Sequence, residues 1–131
     1  MHPKEEETLS ENEIDRGGEH PVYDYEGALD RLMDDAELVQ TVDVAFLADM
    51  ETVFPKARAA VESGDLKQMS LEFHTIKGAS SSVGGTALSV RAGELELAVK
   101  AGDSEGATAG MAELEQKLAE LRTAMAAKFP V

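Results

Sequence analysis

Apolar residues recur at helical spacing along most of this chain, and nowhere do they alternate as a half-buried strand requires. Four stripes carry the pattern. The first runs Val39, Val42, Phe46, Met50, Val53, Ala57 and Val61, the second Leu66, Met69, Phe73, Ile76, Ser80 and Val83. The third is Leu88, Ala92, Leu95 and Val99, and the fourth Ala107, Met111, Leu114, Leu118, Leu121 and Met125. Steps of three and four put each set on one face of a helix, and each face needs an apolar partner.

Punctuation between the stripes sets the boundaries. A short first helix is predicted over Tyr25–Met33 and a long second one over about Asp35–Glu62, with a kink at Pro55, which removes a backbone donor and crowds the previous turn. Gly64 suits a left-handed helix end. Asp65 is placed to cap the third helix, with Gln68 completing a capping box. Gly84-Gly85 ends that helix, Thr86 is the expected cap of the fourth, Ala101–Ser104 form a turn, and the fifth stops before Phe129-Pro130. The fold class that follows is all-α: an antiparallel up-down-up-down four-helix bundle with a short extra N-terminal helix.

Composition narrows the function. The chain of 131 residues suits one domain, is 43% hydrophobic and 5% aromatic, and has no Trp, so its core is built mainly from Leu, Val, Ala and Met. It has no cysteine, which rules out disulfides and thiolate metal sites. No apolar run approaches the roughly 20 residues of a membrane span, and the acidic start MHPKEEETLSENEIDRGGEH lacks a signal-peptide core. A cytoplasmic setting is expected. The formal net charge of −14 disfavours nucleic acid and anionic lipid, whose phosphates need Lys/Arg clusters. Residues 1–21 are polar and aperiodic and are expected to be a disordered acidic tail, leaving 22–131 as the folded domain. His2 and His20 fall in that tail without partner spacing and receive no role.

The stretch LEFHTIKGASSSVGG, Leu71 to Gly85, holds the chemistry. On a helical wheel His74 lies roughly 130° from the stripe centred on Phe73, Ile76 and Ser80, at the solvent-facing flank. Its neighbours one turn away are Ser70, Leu71, Lys77 and Gly78, with Lys67 and Ser81 two turns away. A neutral imidazole nitrogen is a good nucleophile near neutral pH. Lys77 brings a positive charge to its side, Leu71 offers an apolar contact, and Gly78 strips a side chain from the adjoining surface. A mid-helix glycine costs about 1 kcal/mol relative to alanine, so it calls for a reason of packing or access. By spacing alone, a lone surface histidine is also a plain solvated side chain.

HTIKGASSSVG resembles the signature of histidine-containing phosphotransfer (HPt) domains, commonly H-x-x-K-G with a further Gly ten residues after the His; here these are His74, Lys77, Gly78 and Gly84. LELAVKAGD, Leu95 to Asp103, is similar to the family's downstream segment, and FLADMETVFPKARAAVESGD, Phe46 to Asp65, to its preceding helix and turn. The likeness covers about residues 25–128. It implies a four-helix bundle that carries a phosphoryl group on histidine between receiver-domain aspartates, or from a sensor kinase, to a response regulator. It further implies no nucleotide site, no autokinase activity and no cofactor of its own, Mg²⁺ being expected on the partner receiver. By this likeness His74 is the acceptor through Nε2, Lys77 stabilises the phosphoryl oxygens and Gly78 lets the receiver approach.

Glu96 falls where the family often holds a group that contacts the other ring nitrogen. One residue beyond core position Leu95, it also reads as a solvated flank carboxylate. Lys67, Ser70, Leu71, Gly78 and Ser81 are the expected docking positions. No P-loop, nucleotide lid or kinase signature is present, which favours a carrier over an ATP-using kinase. A monomer is expected, free-standing or part of a larger sensor. The competing reading is a non-catalytic acidic helical module that binds or sequesters a basic partner. A degenerate HPt that docks receivers without accepting phosphate is disfavoured by the presence of His, Lys and Gly.

Overall fold

A computed structural model describes residues 20–129. The predicted disordered tail lies outside the described residues, save for His20 and Pro21. Five helices follow in order: α1 Tyr25–Arg31, α2 Ala36–Ser63, α3 Leu66–Ser82, α4 Thr86–Lys100 and α5 Ser104–Lys128. There is no strand among the described residues. Each of the four long helices packs against its successor, and α5 returns against α2, closing a ring consistent with a four-helix bundle. Phe46, Met50, Met69, Phe73, Ile76, Leu88, Leu95, Met111, Leu114 and Leu121 fill its centre.

Aspartate starts most of these helices. Asp24, Asp35, Asp65 and Asp103 each accept a hydrogen bond from the backbone N–H three residues on, which satisfies one of the orphan donors of the first turn. The capping box at Asp65 is only half made, because the Gln68 amide turns to Glu72 instead of back to the cap. Thr86 is not a cap. Gly85 occupies that position without a side-chain bond, and Thr86 is the first helical residue. A Cβ on Gly85 would stand 2.6 Å from Leu121 Cδ2, so this turn is packed too tightly for a side chain.

Two features differ from the sequence reading, the end of α1 and the buried face of α2. α1 ends at Arg31, because Met33 and Asp34 take left-handed backbone angles of 59° and 62° to turn the chain into α2. α2 runs through Pro55 as the single helix that its stripe predicts. Its buried face is Val39, Asp43, Phe46, Met50, Phe54, Ala57 and Ala60, while Val42, Val53 and Val61 lie at the margins of the core.

The chain preceding α1 is laced to the α3–α4 turn. Asp24 N–H donates to Gly84 O at 2.8 Å, and Ala87 N–H donates to Pro21 O at 2.9 Å. Gly84 has φ +83°, and a Cβ there would sit 2.8 Å from Asp24 O. Both the backbone angle and the close approach demand glycine. Tyr23 is fully buried and its hydroxyl donates to the buried Asp43 carboxylate. Burial raises Asp43 to about 6, against a smaller lowering by the Tyr23 bond; burial also raises Tyr23.

This pair has a pH signature. Asp43 holds its proton more tightly folded, at about 6, than unfolded, near 3.8, so its stabilising contribution is full below about pH 4 and is lost as pH rises through 6. The size is on the order of 2–3 kcal/mol. Urea unfolding at a series of pH values should show wild type losing stability across that window relative to Asp43→Asn, which cannot titrate there. Parallel curves would show that folding leaves the proton affinity of Asp43 unchanged.

Candidate functional site

The site forms where α3 and α4 pack, the most extensive helix pairing in the fold. His74 stands on the outer face of α3, with 66% of its side chain exposed. Its register is fixed by the buried residues beside it, since Phe73 and Ile76 are fully buried and hold the α3 stripe inward. From α4, Glu96 reaches under the imidazole, and His74 Nδ1 lies 3.1 Å from Glu96 Oε2.

Glu96 is the surprise of the site. Its side chain is only 6% exposed, although its neighbours in sequence, Glu94 and Leu97, are on the surface. Lys100 Nζ lies 2.9 Å from its Oε2 and Lys77 Nζ 3.8 Å from its Oε1. Burial alone would raise this carboxyl, but the Lys100 hydrogen bond and the charges of Lys100, His74 and Lys77 together pull it below its ordinary range. Glu96 is thus an ionised, nearly dry carboxylate. Facing it, Nδ1 must carry a proton for the contact to be a hydrogen bond, so in the neutral ring Nε2 bears the lone pair. Nε2 meets no hydrogen-bond partner among the described residues.

Two open grooves meet at His74. One, of about 470 Å³, is lined by Asp65, Lys67, Gln68, Ser70, Leu71, His74, Glu96 and Lys100. The other, of about 480 Å³, runs along α4 past Lys77, Ser89, Gly93 and Leu97. The geometry therefore brings His74, Lys77 and Glu96 together and sets Lys67, Ser70 and Leu71 beside them in one groove. Gly78 is exposed, and a Cβ there would meet nothing within 4 Å, so its side of the helix is open ground. Ser81 is exposed but lines neither groove. Among the three serines, Ser80 is buried and donates to Ile76 O, and Ser82 donates to Gly78 O, so both hydroxyls are used within α3.

Lys100 and Gly93 were not singled out from the sequence. Lys100 had a visible signal, since it lies four residues after Glu96 on the same helix face. Leu97 is 70% exposed in the second groove and Leu71 57% exposed in the first, so each helix offers an apolar side chain in a groove that also holds the histidine. No group of three or more metal-ligating side chains occurs among the described residues. Nor is any described helix long and apolar enough to cross a membrane.

An exposed imidazole with one nitrogen tied to an ionised carboxylate and the other open can act as a nucleophile through Nε2. A family model described as the Hpt domain matches residues 44–124, more than half of the chain and all of the site. The chain belongs to that family, whose members are phosphocarrier modules of two-component phosphorelays and interact with receiver domains and kinases. No curated protein and no solved structure matches it.

The tautomer is open to measurement. In Glu96→Ala the acceptor is gone, and the neutral ring should shift its proton from Nδ1 toward Nε2. Two-dimensional ¹⁵N spectra of the neutral His74 ring should show the Nδ1–H form dominant in wild type and a mixture in the variant. Identical ring spectra would remove Glu96 from the site.

Proposed function

We propose that this protein is a phosphorelay intermediate. His74 accepts a phosphoryl group from the phospho-aspartate of a receiver domain, or from a hybrid sensor kinase, and passes it to a response-regulator aspartate. The observation that carries this reading is the His74–Glu96 contact, which leaves Nε2 exposed with the lone pair.

Nε2 attacks phosphorus in line, the Nε2–P bond forms, and the aspartyl O–P bond breaks with its electron pair leaving on the carboxylate. The imidazole keeps its Nδ1 proton and becomes cationic. Glu96, already ionised and 3.1 Å away, offsets that charge without reorganising. Lys77 turns its ammonium to the phosphoryl oxygens, and the open surface at Gly78 admits the partner. Lys67, Ser70, Leu71 and Ser81 contribute to docking, with Leu71 and Leu97 as apolar contacts on either side. Mg²⁺ belongs to the partner receiver, and the chain itself needs no nucleotide and does not phosphorylate itself. The proposal includes an antiparallel course for the four long helices, supported by turns as brief as Gly64-Asp65. It also includes a cytoplasmic setting and a monomeric state, since the apolar stripes are buried within one chain.

Incubation with a panel of phosphorylated receiver domains tests this directly. Wild type should acquire acid-labile, alkali-stable phosphate, and His74→Gln none. Labelling that survives the substitution would move the acceptor elsewhere. A folded wild type that takes no phosphate yet binds a basic partner in a salt-sensitive way, regardless of His74, would replace the relay with a sequestering module.

A further inference from the structure

We propose that Gly93 is a positioning residue for Lys77: its missing side chain makes a seat on α4 in which the aliphatic stem of Lys77 lies. This rests on the carrier reading above and assigns a part in it to a residue without functional groups. An ideal Cβ on Gly93 would stand 3.1 Å from Lys77 Cδ, 3.9 Å from Cγ and 4.0 Å from Cε, so the stem runs across the bare backbone. Two other α4 residues hold the same lysine. Ser89 Oγ donates to Lys77 O at 2.9 Å, and Glu96 Oε1 lies 3.8 Å from its ammonium.

A flexible lysine on an exposed helix face loses rotamer freedom only if something confines it. Here backbone, stem and head are each confined by one turn or another of α4, and the ammonium is delivered beside the His74–Glu96 pair. Glycine inside α4 opposes helix formation. Unlike Gly78, whose Cβ would meet open space, Gly93 is filled by a neighbour, so its cost has a structural return in the placement of Lys77.

The signature is a stability and an activity that move in opposite directions. Gly93→Ala should raise the melting temperature through helix propensity while slowing phosphoryl transfer from a phosphorylated receiver. Gly93→Val, which expels the stem, should slow transfer by roughly ten- to hundredfold with little change in receiver affinity. In a Lys77→Ala background neither substitution should slow transfer further, because the group being positioned is gone. Contacts between Gly93 Hα and the Lys77 side chain in NMR spectra should be present in wild type and lost in Gly93→Val. Equal losses of rate with and without Lys77, or unchanged rates once the NMR contacts are gone, would overturn the proposal. If Gly93→Val does not fold, Gly93→Ala decides on the same criteria. A wild type that takes no label from any receiver would instead overturn the carrier reading and the positioning role together, while the NMR contacts still decide whether the seat exists.

Discussion

A carboxylate that has been taken almost entirely out of water governs this molecule. Glu96 sits between α3 and α4 with its charge retained, and an isolated charge in that place would be expelled or neutralised. It persists because three cationic or cation-forming groups converge on it, Lys100 and His74 on one oxygen and Lys77 on the other. The dependence is mutual. The lysines are oriented by the carboxylate, and the imidazole takes its tautomer from it. A neutral amide in this place would still accept from Nδ1, but it would not offset the charge that develops when Nε2 is substituted.

Such a cluster requires α3 and α4 to keep their register, and the fold secures the turn between them and packs α4 against α5. At one end Gly84 and Gly85 close the turn, with Asp24 on one side and Leu121 on the other, and the Pro21–Asp24 segment bonds to both helices' connecting backbone. That segment is anchored by Tyr23, buried against Asp43 of α2. Farther along α4, Leu95 fits against Gly110 of α5, where a Cβ would stand 2.6 Å from Leu95 Cδ2. Leu95 adjoins Glu96, so the contact that packs the core also sets the height at which the carboxylate emerges. Interiors at this density shift little, which is why an exposed histidine can be held in one orientation by residues that are mostly hidden.

Much of this was legible in the sequence, and the parts that were not share a cause. The stripes gave the helices, and the wheel put His74 outside, because apolar periodicity reports burial directly. Asp43 and Glu96 break that logic. Both are acidic, both are buried, and each is tolerated only because of a partner from a distant part of the chain, Tyr23 in one case and His74 with the lysines in the other. Periodicity carries no information about such partners. The Thr86 cap failed for a related reason: threonine is a good cap locally, but the turn is so crowded by Leu121 that glycine takes the position. Gly93 was silent because nothing along the chain announces that a lysine from another helix will lie across it.

The two lysines on Glu96 are not equivalent, and on the carrier reading their distances favour Lys77 as the one that serves an incoming phosphoryl group. Lys100 is at hydrogen-bond distance, 2.9 Å, whereas Lys77 at 3.8 Å is a looser ion pair. Turning away from the carboxylate therefore costs Lys77 less than it costs Lys100. Lys77 also shares a helix and a turn with His74, and on the carrier reading its ammonium swings toward the histidine around a stem that is already seated. On that reading Lys100 remains with Glu96 and keeps the buried charge compensated while Lys77 is engaged elsewhere. On the carrier reading, a second cation that never touches the phosphoryl group is what lets the first one leave, and the reverse transfer returns Lys77 to a carboxylate that has stayed ionised throughout.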